Sequence, residues 1–96
     1  MQLTDHLEFY GYLVGSFADA DLLRLTDEQA AVAGLTERKR AAFAKVLEQG
    51  RDVLLSPTFD WKRIAQHANR DFEDEAETRA WLIRMMDLLE GALKKL

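Results

Sequence analysis

The sequence predicts an all-α protein, a compact irregular bundle of five or six helices with short connections. Three observations predict it. Ala and Leu supply 28 of the 96 residues, whereas Val, Ile and Thr supply only 11. Ala and Leu lose little side-chain freedom in a helix, and β-branched side chains lose more. Proline occurs once, at Pro57. No run alternates apolar and polar residues between hairpin turns, as paired strands would require.

Each helix has its own signals. The first runs from about Asp5 to Phe17. Leu3, Leu7, Tyr10, Val14 and Phe17 form a stripe at spacings of four and three, and Thr4 is its expected cap. Gly11 and Gly15, four apart on another face, predict close packing of a neighbouring helix. A helical turn over Asp21 to Leu25 precedes Thr26-Asp27-Glu28-Gln29, a capping box. Gly34 stands where a left-handed residue would stop that short helix. Thr36 is the expected cap of the next helix, about Glu37 to Leu55. Its inner face is Phe43, Val46, Leu47, Gly50, Val53 and Leu54. Gly50 costs up to about 1 kcal/mol there relative to Ala, so it marks a bulky neighbour or a bend.

Ser56-Pro57 closes that helix, because the residue before a proline is driven out of helical geometry. A further helix opens at Pro57 or Asp60 and reaches Asn69, with Trp61, Ile64, Ala65 and Ala68 on its apolar side. The last and longest spans about Glu73 to Lys95. Its stripe is Trp81, Met85, Leu88, Leu89 and Ala92, broadened by Leu82 and Leu93. Acids crowd its start and Lys94 and Lys95 its end, the order the helix dipole favours. Glu75–Arg79 and Glu90–Lys94 are four-apart ion pairs, each worth about 0.2–0.5 kcal/mol.

A chain of 96 residues suits one domain spanning 1–96. It contains no cysteine, which excludes disulfides, thiolate metal sites and Cys nucleophiles. The longest weakly polar stretch, Phe9 to Ala18, is too short for a bilayer, which needs about 20 residues. With no basic, apolar leader and no lipidation signal, the cytoplasm is the expected location and no membrane partner is expected.

Chemistry is sparse. His6 and His67 are the only histidines, and neither sits in a zinc or di-iron spacing. Asp60, His67 and Asp71 could share a helical face, but a solvated or capping histidine explains His67 as well. Ser16 and Ser56 lack the setting of an activated nucleophile, and no Gly-rich phosphate loop exists. No enzyme activity, cofactor or metal is expected.

A helix-turn-helix regulator built on residues 60–85, with Asn69 in the turn, is the alternative reading. Its reading helix would begin Glu73-Asp74-Glu75-Ala76-Glu77, and those acids would repel phosphates. The chain as a whole carries 13 Lys and Arg against 17 Asp and Glu, a net charge of −4. Nucleic acid is therefore disfavoured. The basic clusters Arg38-Lys39-Arg40 and Lys62-Arg63 read as solvated helix faces.

What remains is surface. Asp71, Phe72, Glu73, Asp74, Glu75 and Glu77 place five acids and one aromatic within seven residues. Such a run can steer a basic protein partner and anchor it with the ring. It can equally be a favourable helix start with Phe72 tucked inward. Tyr12, off the Leu7–Tyr10–Val14 stripe, is the expected exposed aromatic. The Trp81–Leu93 face could extend into a homodimer contact.

In size, acidity and helix content the chain resembles the small inhibitors that neutralise bacterial toxins, colicin-nuclease immunity proteins among them. The resemblance covers no aligned segment and assigns no residues. It implies a protein-binding module acting stoichiometrically by occluding a basic site.

Overall fold

The computed structural model describes residues 6–96, and Leu3, Thr4 and the expected cap there lie outside them. Five α-helices follow one another: α1 Leu7–Ser16, α2 Asp27–Val32, α3 Arg40–Leu55, α4 Trp61–Ala68 and α5 Glu75–Lys94. A 3₁₀ turn, Glu37–Lys39, leads into α3. No strand occurs among the described residues.

The helix boundaries follow local chemistry. Thr26 and Gln29 form the complete capping box, with Thr26 Oγ1 accepting from Gln29 N at 3.1 Å and Gln29 Oε1 from Thr26 N at 2.9 Å. Asp60 caps α4 by accepting from Arg63 N, and Asn69 ends it in the left-handed region at φ 55°. Ser56 Oγ accepts from Thr58 N in the turn that carries Pro57. Helix α5 begins at Glu75, two residues later than its acidic run suggests, because Asp74 serves as its cap.

Two expected caps take other forms. Gly34 is not left-handed. The chain leaves α2 through a right-handed Ala33, and Gly34 lies 3.5 Å, measured from where a Cβ would stand, from the Phe43 ring. Thr36 precedes the 3₁₀ turn without a side-chain cap bond.

Helix α1 bears out the expected stripe only in part: Tyr10 and Phe17 are buried, Leu7 and Val14 are not. Its buried residues are Phe9, Tyr10, Tyr12 and Leu13, while Leu7 is 56% exposed and Val14 48%. Tyr12 is inside, its hydroxyl donating to Ala31 O at 2.7 Å. Burial pushes its phenol pKa upward. Among the described residues nothing lies within 4 Å of where a Cβ would stand at Gly11 or Gly15, so no described helix packs closely there.

Helices α3 and α5 make the most extensive contact. Gly50 sits at their crossing: a Cβ there would meet the Met86 sulfur and approach Phe9 Cδ1 to 3.3 Å. The bulky-neighbour reading of Gly50 is thus the correct one, and α3 continues through it as a helix to Leu55. Trp81, Leu82, Met85, Met86 and Leu89 of α5 enter the core with Phe9, Leu13, Phe17 and Ile64. Most of the expected Trp81–Leu93 stripe thus packs within the chain, but Leu88, expected inside, is 37% exposed. No helix among the described residues is long and apolar enough to cross a membrane.

Candidate functional site

The turn from α4 to α5 carries the acidic run, and most of the run has local work. Asp74 Oδ1 accepts from Glu77 N at 2.9 Å, the cap bond of α5. Glu77 Oε1 accepts from Glu73 N at 2.6 Å. Thr78, fully buried, donates its hydroxyl to Asp74 O at 2.9 Å. The first of these bonds satisfies a backbone donor that a helix start leaves without a partner. Glu75 pairs with Arg79 Nη2 at 2.9 Å. Arg79 also donates to Leu54 O at 2.7 Å and covers the Phe59 ring, its guanidinium carbon 4.2 Å from the centroid.

Phe72 is half-buried. Its ring lies 5.2 Å from Trp81 at a tilt of 51°, within the range that aromatic pairs favour. The ring therefore braces the turn more than it projects from it. Asp71 and Glu73 are exposed, and their carboxylates have no hydrogen-bond or salt-bridge partner among the described residues.

Immediately before the run lies an interaction the sequence reading missed. Arg70 Nη2 and Nε donate to Asp27 Oδ1 at 2.6 and 3.0 Å. Trp81 Nε1 donates to Asp27 Oδ2 at 2.8 Å. Arg70 Nη1 adds bonds to Ala68 O and Asn69 O. Burial alone would raise the Asp27 pKa. The hydrogen bonds from Arg70 and Trp81, with the charges of Arg70 and Arg84, outweigh it and hold the carboxyl below its usual range. One carboxylate at the start of α2 thus fastens the end of α4 and the first half of α5. Its partners stand 43 and 54 residues away in sequence, so no local pattern announces it.

The other candidates separate. Asp60 caps α4, whereas His67 donates Nδ1–H to Arg63 O at 2.9 Å and packs on Tyr10 with centroids 4.9 Å apart. No group of three His, Asp or Glu among the described residues is arranged around a common point for a metal ion. In the helix-turn-helix reading, Asn69 does adopt the left-handed turn. Thr78, Trp81, Leu82 and Met85 are nevertheless buried, and acids occupy the end of α5 that would meet a groove. An open cleft of about 300 Å³ lies between α1, the end of α3 and α4, with Tyr10, Val53, Phe59 and Arg63 in its wall. Arg63 lies flat over Tyr10, 3.9 Å from the ring centroid. No protein-family model, curated protein or solved structure matches the chain.

Proposed function

We propose that the chain is a cytoplasmic protein-binding module. It presents the Asp71–Glu77 corner to a partner with a basic surface and acts stoichiometrically by occluding that surface. One observation carries the reading. Asp71 and Glu73 hold exposed carboxylates without cationic partners, on a turn braced from behind by Asp27, Arg70 and Trp81. Charges fixed on a rigid support lose little freedom on docking and accelerate encounter with an opposite surface. Glu75, Asp74 and Glu77 add to the local field while holding the helix start.

The test begins with the tagged protein as bait in its native cell, followed by a moderate salt wash. Association of the retained partner is then timed by stopped flow. Asp71→Lys with Glu73→Lys should slow association at least several-fold at low salt and flatten its salt dependence. These positions avoid the capping carboxylate of Asp74. Unchanged association rates, or no partner retained by the wild-type protein, would overturn the proposal.

A further inference from the structure

We infer that Leu22 and Leu23 extend the acidic corner into a docking surface as its apolar anchor, and that the segment docking there is an amphipathic helix, an apolar stripe edged by lysine or arginine. The inference rests on reading the corner as a site for a basic protein. It adds what holds that partner once charge has drawn it in.

Printed distances bring the leucines to the corner. They lie on the turn between α1 and α2, and both feet of that turn are fastened to consecutive residues of the α4–α5 turn. Asn69 Nδ2 donates to Ala18 O at 3.4 Å, and Arg70 Nη2 donates to Asp27 Oδ1 at 2.6 Å. Asp71 is the next residue. The two turns also share Trp81, whose ring stands 4.9 Å from Phe17 at the foot of one and 5.2 Å from Phe72 in the other. The Arg70 pKa is raised chiefly by its hydrogen bonds to Asp27, and the charge of Asp21 adds to the rise. Asp21 thus stands within electrostatic reach of the same guanidinium.

The turn that carries the leucines has a fixed shape. Leu22 N donates to Asp19 O and Leu23 N to Ala20 O, both at 3.1 Å. Leu25 N reaches back past left-handed Arg24, at φ 59°, to Ala20 O at 3.0 Å. Ala20 is buried and Leu25 packs on the core. With those residues inward, Leu22 and Leu23 stand out, 83% and 68% exposed. Side chains presented on a tied turn need little further ordering of the backbone on docking. An exposed apolar patch with a polar rim is the usual form of a protein interaction site.

Charge selects the occupant. Asp19 and Asp21 on this turn, and Asp71 and Glu73 on the next, are exposed carboxylates. Arg24 is the exposed cation beside them, while Arg70 is matched by Asp27. Four acids against one unmatched cation give the rim a negative potential. That potential repels nucleic acid and anionic lipid, and a second copy offering the same face would set acid against acid. A helix with an apolar stripe and basic edges answers both parts of the surface. Gaps between its side chains three and four apart receive the leucines, and its lysines or arginines reach the acids.

The probe is a synthetic Leu/Lys/Ala peptide of five helical turns with one apolar stripe, titrated into the full chain labelled with ¹⁵N. A peptide of the same composition in scrambled order is the control. The ordered peptide should bind at least tenfold tighter than the scrambled one, moving the backbone amide signals of 19–25 and 69–75. Leu22→Ser with Leu23→Ser should weaken the ordered peptide at least tenfold and the scrambled one less than twofold. Asp71→Lys with Glu73→Lys should weaken both several-fold. Circular dichroism checks that each variant folds, and the amide map of the wild type needs no variant. Four results would overturn the inference. They are no measurable binding of the ordered peptide, equal binding of the two peptides, a change below twofold in the leucine variant, and self-association in sedimentation velocity that the leucine variant abolishes. The two readings fail separately. A loss confined to the Asp71/Glu73 variant discards the leucine anchor and keeps the acidic corner, whereas a loss confined to the leucine variant overturns the basic-partner reading and the inference with it.

Discussion

Arg70 and Asp71 are neighbours in the chain and meet opposite surroundings. The Arg70 side chain is 15% exposed and gives five hydrogen bonds, three of them to one carboxylate. The Asp71 side chain stands in water without a partner. The same contrast divides the acids. Asp27 is half-buried and binds two elements together, while Glu73 lies exposed and bonds only through its backbone. A carboxylate in this protein is structural where its oxygens are engaged, by a distant element at Asp27 or by a local helix start at Asp74, and is left for solvent or a binding partner where they are not.

Substitutions at these positions should separate the two kinds of charge. The largest effect is expected at Asp27. Asp27→Ala leaves the buried Trp81 indole N–H without its acceptor and the half-buried Arg70 guanidinium with only the Ala68 and Asn69 carbonyls. The loss should be about 2–4 kcal/mol, seen as a fall in Tm of roughly 10 °C or more for a domain of this size. Asp27→Asn should cost less, since its carbonyl still accepts. The acid side gives the matching signature. The folded-state pKa of Asp27 is depressed, so its contribution is present above the ordinary carboxylate value and is lost as pH falls through the folded value. Denaturant titrations at neutral and acid pH should show a smaller acid loss in Asp27→Asn than in the wild type.

A middle effect is expected at Asp74, whose carboxylate caps α5. Asp74→Ala should cost about 1 kcal/mol, measurable as a lower denaturant midpoint with an unchanged slope. The smallest is expected at Glu73. Glu73→Lys should shift stability by no more than about 0.5 kcal/mol, because the side chain is exposed and makes no hydrogen bond or ion pair among the described residues. A loss there as large as at Asp74 would erase the distinction drawn between structural and available charge.

Much of the fold was legible because its signals are local. Thr26 with Gln29, Asp60 with the first turn of α4, and Pro57 after α3 each act within four residues, and all three operate as read. Helix α1 was misjudged because both of its faces are apolar. Leu7, Tyr10 and Val14 repeat as regularly as Phe9, Tyr12 and Leu13, so periodicity could not say which side meets the core. The fate of Tyr12 depended on a carbonyl at Ala31, nineteen residues on. The acidic corner was legible as composition, and its role as a helix start followed from Asp74 and Glu77. Its support was not, since Asp27 reads as one more surface acid until α2 is placed against α5.

The Gly50–Met86 crossing has a chemical consequence. Sulfur in this chain is confined to three methionines, and Met85 and Met86 are sealed in the core. Conversion of the Met86 thioether to its sulfoxide would add a polar oxygen inside the core, where the sulfur already fills the space beside Gly50. Met86 is fully buried, so peroxide should reach that atom through openings of the core around it, and the added oxygen should weaken the packing that re-forms. The rate at which Met86 is oxidised becomes a clock for how often the bundle opens.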